Sequence, residues 1–155
     1  MKIIDFLKEG AIVPDLKATD KESVIKELVT LLKDIGEISD QEKIVEIILE
    51  REKLGSTGIG QGIAVPHAKT DQVKQIVVAF GLSHKGVNFE SLDEEPVYLI
   101  FLVLAPVEAT GMHLKLLAKI ARLLKDKVFC NSLKSCKGKR KEIFQVIEEE
   151  DEKNS

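Results

Sequence analysis

The residues best suited to chemistry lie between Arg51 and His67, in the stretch R-E-K-L-G-S-T-G-I-G-Q-G-I-A-V-P-H. Gly55, Gly58, Gly60 and Gly62 fall within eight residues, beside the polar Ser56, Thr57 and Gln61. Glycine adopts backbone angles closed to other residues and lets backbone N–H groups approach a ligand, so this segment has the means to wrap an anion. Pro66 fixes its own φ and biases Val65 towards an extended conformation, which leaves His67 little freedom. Neither nucleotide fingerprint fits: in Gly58–Ile63 the third glycine comes one residue too early for G-x-G-x-x-G, and no G-K-[ST] follows. Phosphate chemistry here needs another carrier. An imidazole nitrogen is one, because a pKa near ~6.5 leaves much of it neutral and nucleophilic at neutral pH. The same spacing also suits a histidine that is only a polar residue in an exposed loop.

A site of this kind needs a helix to bring in Arg51 and a strand to lead into His67. Thr19 and Glu22 have the spacing of a capping box, and Val24, Ile25, Leu28, Val29, Leu31, Leu32 and Ile35 follow at helical period, which predicts a helix over about 20–35. Ser39 and Glu42 repeat the box, and Ile44, Val45, Ile48 and Leu49 continue a second helix to about Lys53, closed by Gly55. Arg51 then lies in its last turn, and the short connection packs the two helices antiparallel. Ile76–Leu82 and Val97–Leu104 are nearly continuous apolar runs rich in β-branched and aromatic residues, as expected of central strands covered on both faces. Residues 3–7 suggest a turn of helix or an edge segment, Ala11–Val13 a first strand, and Ser83–Pro96 a turn with a short edge strand. His84 reads as an exposed turn residue. Met112, Leu116, Leu117, Ile120, Ala121 and Leu124 predict a helix over about 111–125, with two more at Val128–Leu133 and Glu142–Ile147. Lys134–Lys141 reads as a solvated basic turn. The expected class is α/β: a single domain with a mixed β-sheet covered by helices on both faces.

A chain of 155 residues, 44% hydrophobic, suits one domain with a proper core. A net charge of -3 gives no electrostatic case for nucleic acid. The longest apolar run, Val97–Pro106, is about half the roughly 20 residues of a membrane span, and no leader pattern opens the chain, so a soluble cytoplasmic protein is expected. Cys130 and Cys136 form no C-x-x-C pair and no zinc spacing occurs, so both are expected as reduced thiols, with no metal or cofactor.

The stretch resembles the phosphorylation-site signature of enzyme IIA domains of the fructose/mannitol class in the bacterial phosphoenolpyruvate-dependent sugar phosphotransferase system, including their nitrogen-regulatory relatives. The matching residues are Arg51-Glu52, Leu54, Thr57, Gly60, Gly62 and Ile63-Ala64-Val65-Pro66-His67-Ala68. Downstream, His113-Leu114-Lys115-Leu116-Leu117-Ala118 is similar to the family's helix start with a second active-site histidine. The resemblance covers residues 2–148 and leaves 149–155 as an acidic, frayed tail. It implies that His67 is the phosphohistidine acceptor, that His113 donates a hydrogen bond to a phosphate oxygen or to His67, and that Arg51 stabilises the phosphate, with Thr57 and Ser56 adding hydroxyl contacts. Guanidinium suits that role because it binds phosphate oxygens bidentately and stays charged, and Arg51 is one of three arginines among 23 basic residues.

The implied partners are a histidine-containing phosphocarrier as donor, docking on an apolar rim around His67, and a IIB component as acceptor, in a relay towards sugar uptake. The family pattern favours Nε2 as the phosphorylated atom. A regulatory module of the nitrogen type, whose phosphorylation state controls which protein it holds, shares the same site and is the alternative. A hydrolase using His67 and His113 lacks a carboxylate ligand or nucleophile at a recognisable spacing. Gln61 departs from mannitol-type relatives, which can carry an acidic residue there, and leaves the sugar open.

Overall fold

The computed structural model describes residues 1–154. A 3₁₀ turn (Ile3–Asp5) leads into β1 (Leu7–Val13), and α1 (Lys21–Asp34) and α2 (Gln41–Lys53) follow. Three short strands come next, β2 (Gly58–Gly60), β3 (Ile63–Ala64) and β4 (His67–Lys69), then the long β5 (Val77–Val87) and β6 (Val97–Ala105). A 3₁₀ turn at Val107–Ala109 opens α3 (Thr110–Leu123), and α4 (Lys127–Lys134) and α5 (Arg140–Lys153) close the order.

The sheet runs β1-β5-β6-β3-β2, with β4 also paired to β6. β5 and β6 are antiparallel, β1 is parallel to β5, and β3 and β4 are parallel to β6, so the sheet is mixed. Residues Val97 and Leu99–Ala105 are all buried, as only a strand with both faces covered can be. Helices α1 and α2 pack on each other and reach β1, β5 and β4, while α3, α4 and α5 pack against β6, β5 and β1. Phe80 and Phe101 sit opposite each other across the β5–β6 ladder with ring centroids 4.7 Å apart, and each ring fully buried contributes on the order of 1.5–3 kcal/mol.

The expected helices and central strands are present, with differences that have local causes. The N-caps lie one residue later than the capping-box spacing indicates: the Asp20 carboxylate accepts from the Ser23 amide, and Asp40 from the Lys43 amide. An ionised carboxylate is the better acceptor for those amides, so it displaces Thr19 and Ser39 from the role. β5 does not stop at Leu82; it bulges after that residue and pairs again at Val87 with Val97, which puts exposed His84 on the strand and not in a turn.

The expected frayed tail is in fact the last turns of α5 up to Lys153, and Ser155 lies outside the described residues. Asp151 is fully buried: it accepts from the amides of Ile3 (3.1 Å) and Ile4 (3.0 Å) and pairs with the buried Lys119 of α3 at 3.4 Å. Lys119 Nζ also donates to the Met1 carbonyl at 2.7 Å. The acidic run therefore caps the N-terminal 3₁₀ turn and ties both ends of the chain to α3. Cys130 and Cys136 are buried free thiols, each pushed up from the ordinary thiol range mainly by burial.

Candidate functional site

His67 owes its position to a break in the ladder along β6. Ile63 and Ala64 pair with Leu99 and Ile100, His67 to Lys69 pair with Val103 to Ala105, and Val65-Pro66 lies between the two ladders. Pro66 has no N–H, so a continuous ladder is closed to it. The Val65 amide turns instead to the Thr57 carbonyl at 3.0 Å, while the Pro66 carbonyl accepts from the Val103 amide at 3.0 Å. The Val65 carbonyl then faces the His67 ring, 2.8 Å from Nδ1. A carbonyl only accepts, so this contact assigns the proton to Nδ1 in the neutral ring and leaves the lone pair on Nε2.

The half-buried His67 imidazole has a lowered pKa. Burial is the main cause, the Arg51 charge adds to it, and the Val65 hydrogen bond and the Glu52 carboxylate oppose it. A lowered pKa keeps the ring neutral, as a nucleophile must be at neutral pH.

His113 is the fourth residue of α3 and is buried, 3% exposed, with its Nε2 lacking any hydrogen-bond partner. Its ring meets the His67 ring edge-on, centroids 5.6 Å apart and planes at 76°. Burial first, then the nearby His67 and Lys69, push its pKa down from 6.5 to about 4. An unpaired buried polar atom costs on the order of 1–3 kcal/mol, and this one lies beside the His67 ring.

The Gly-rich loop is held from two sides. Arg51, in the last turn of α2, donates from Nη1 to the Gly55 carbonyl at 3.0 Å, which brings the guanidinium over the loop entrance. Glu52, one residue on, is buried; its carboxylate accepts from the Thr57 amide (3.2 and 3.3 Å) and the Thr57 hydroxyl and pairs with Lys21 at 3.0 Å. On the other side, the segment between β5 and β6 contributes the Phe89 carbonyl, which accepts from Ser56 Oγ, and the Asp93 carboxylate, which accepts from the Gln61 amide at 3.0 Å. Gly60, Gln61 and Gly62 all have positive φ (94°, 58° and 81°), so the β2–β3 turn has glycine at two left-handed positions and needs the Asp93 contact at the third.

The sequence-predicted residues thus divide. His67 and His113 come together ring to ring, and the Arg51 charge is felt at His67. The Thr57 hydroxyl is engaged by Glu52, while Ser56 Oγ donates to Phe89 and accepts from the Gly58 amide, so both hydroxyls hold the loop. His113 stands in the first turn of α3, and its buried ring faces His67. Two charges here were given no role by the sequence. Glu52 stands in the matched stretch beside Arg51, but nothing in its spacing shows that it is buried or that it holds Thr57. Lys69, whose charge is felt at His113, could have been found from its spacing, since residues two apart on a strand share a face with His67. Among the described residues no group of three or more His, Cys, Asp or Glu side chains is arranged to hold a metal ion, and no helix is long and apolar enough to cross a membrane.

Comparison with known proteins adds independent findings. A family model described as "Phosphoenolpyruvate-dependent sugar phosphotransferase system, EIIA 2" matches residues 5–150. The fructose-specific EIIABC component of Bacillus subtilis is 44% identical over 124 residues, which are 80% of this chain and 20% of that protein, so the chain spans about a fifth of the length of that relative. The nitrogen regulatory protein of Bradyrhizobium diazoefficiens is 38% identical over 147 residues, 95% of each chain. The crystal structure of the nitrogen regulatory protein IIA-Ntr from Neisseria meningitidis superposes with a TM-score of 0.84 at 36% identity, covering 92% of this chain and 97% of the other.

Proposed function

The chain belongs to the EIIA 2 family of the phosphoenolpyruvate-dependent sugar phosphotransferase system, and from that premise we propose that it is a phosphoryl carrier with His67 as the acceptor. The observation that carries the reading is the Val65 carbonyl 2.8 Å from His67 Nδ1, which leaves the Nε2 lone pair as the nucleophile. The phosphoryl group passes in line from a phosphohistidine nitrogen of the phosphocarrier to His67 Nε2. The donor P–N bond breaks as the new one forms, and neither metal nor nucleotide takes part. A loose transition state of this kind gains most from positioning and from donors to the equatorial oxygens. Arg51 supplies a fixed positive charge, and the unpartnered Nε2 of His113, when protonated on that nitrogen, donates to a phosphate oxygen. Ser56 and Thr57 act one step back, by holding the loop.

Exposed Leu54 follows α2, and exposed Val107, Met112 and Leu114 flank His113 along the chain, which suits an apolar rim for the phosphocarrier and for a IIB component in turn. The second reading is the nitrogen type, in which the phosphorylation state selects a protein partner; the likeness to the Bradyrhizobium protein along 95% of both chains favours it. Both readings use the same site in the cytoplasm.

Incubation with enzyme I, the phosphocarrier and phosphoenolpyruvate, followed by intact mass at alkaline pH, tests the carrier reading. One added phosphate is expected in wild type and His113→Gln and none in His67→Gln. Uptake in His67→Gln, or none in wild type, would overturn it. Transfer onward to a IIB domain, compared with capture of a regulatory target by one phosphorylation state only, separates the two roles.

A further inference from the structure

We propose that Glu52 is a positioning residue for His67, acting through Thr57 and Val65 to fix which ring nitrogen is free. This rests on the reading of His67 as the phosphoryl acceptor, but its structural half stands alone.

The connection is continuous and short. Lys21 Nζ, at the first turn of α1, lies 3.0 Å from the Glu52 carboxylate and 5.2 Å from the centroid of the Phe89 ring. The Glu52 carboxylate holds the amide and the hydroxyl of Thr57. The Thr57 carbonyl holds the Val65 amide at 3.0 Å, and the Val65 carbonyl holds His67 Nδ1 at 2.8 Å. Thr57 is 5% exposed and Glu52 6%, so water does not compete for these contacts.

Without the Glu52 anchor, Thr57 sits in a glycine-bordered loop between Ser56 and Gly58 with nothing else bound to its amide or hydroxyl. The Thr57 carbonyl is then less firmly placed and its hold on the Val65 amide weakens, so Val65 can shift between its fixed neighbours Ala64 and Pro66. The Val65 carbonyl leaves Nδ1, and the two neutral tautomers of His67 approach the mixture seen for an unconstrained imidazole. Only the tautomer protonated at Nδ1 presents an Nε2 lone pair, so phosphoryl acceptance slows in proportion and Nδ1 becomes accessible to attack.

Removing the buried carboxylate alone leaves the Lys21 ammonium only the Glu90 carboxylate, 4.0 Å away, so the test replaces both partners with apolar residues of similar volume, Lys21→Met with Glu52→Met. Long-range ¹H–¹⁵N correlation of the unphosphorylated protein reads the His67 tautomer directly, which general loosening of the fold at a distant site does not change. Wild type is expected to show one tautomer, protonated at Nδ1. The double variant is expected to show a mixture, a single-turnover acceptance rate about two- to fivefold lower, and a fraction of phosphate on Nδ1 by ³¹P NMR. Thr57→Val, which keeps the amide and removes the hydroxyl, serves as the milder variant and is expected to shift the tautomer in the same direction; it decides the matter if the double variant does not fold.

Retention of the single Nδ1-protonated tautomer in a folded double variant, or in Thr57→Val, would overturn the proposal. Failure of wild type to take up phosphate would defeat the carrier reading instead, and the tautomer measurement would still decide the part played by Glu52.

Discussion

Burial of His113 makes the stability of this protein depend on pH in a calculable way. The folded state holds the ring at a pKa of about 4, against 6.5 when exposed. A site that loses proton affinity on folding binds fewer protons folded than unfolded. The stability it confers is therefore complete above about pH 6.5 and is lost as pH falls towards about 4. Between about pH 7 and about pH 4.5 the linkage relation gives a loss on the order of 2.5 kcal/mol from this one ring. His67 shifts in the same direction and adds to it, and carboxylates titrate as well, but both contributions persist in His113→Gln. Urea unfolding of wild type and His113→Gln at the two pH values isolates the ring by difference. Wild type should lose about 2.5 kcal/mol more than the variant over that interval. Equal losses in the two proteins would refute the burial and the depressed basicity on which the site geometry rests.

Replacing Arg51 by Lys keeps the charge but removes the fork that reaches the Gly55 carbonyl at 3.0 Å. Single-turnover phosphoryl acceptance should fall about tenfold, equivalent to about 1.4 kcal/mol, and an unchanged rate would remove Arg51 from the site. A Cβ at Gly58 would lie 2.3 Å from Ser91 Oγ and 3.1 Å from Ser91 Cα, so Gly58→Ala must displace the segment between β5 and β6. Thermal unfolding should report a loss of about 1–3 kcal/mol; no loss would mean that this segment yields freely. In Asp151→Asn the buried Lys119 loses its counter-charge. About 3 kcal/mol of stability should go with it, whereas a change under about 0.5 kcal/mol would return the C-terminal acidic run to the status of a frayed end.

The parts of the fold legible in the sequence were those governed by local periodicity. Leu28, Leu32 and Ile25 fall on one face of α1 because nothing but a helix places them there, and Val97–Leu104 reads as a doubly covered strand from its unbroken apolar run. His67 was legible because Pro66 and the glycines constrain the backbone next to it. What escaped depends on residues far apart in the chain. Glu52 is buried only because Lys21 comes back to meet it, and Asp151 only because the amides of Ile3 and Ile4 and the Lys119 ammonium arrive from the other end. Charges read as solvated when taken from their neighbours in sequence are buried when their partners lie tens of residues away. The strand leading into His67 was legible, but β2 and β4 were hidden for a different reason: each has three residues, too few to show a period, and each exists only because β3 or β6 lies alongside.

The central claim is that a fixed Nδ1 proton makes Nε2 of His67 the phosphoryl acceptor. It is tested most directly on uniformly ¹⁵N-labelled protein phosphorylated through the phosphocarrier and kept at alkaline pH, by ³¹P NMR with long-range ¹H–¹⁵N correlation. A single phosphohistidine is expected, at His67, with phosphorus on Nε2 and the proton retained on Nδ1. Phosphate on Nδ1 of His67, or on any other residue, would contradict it.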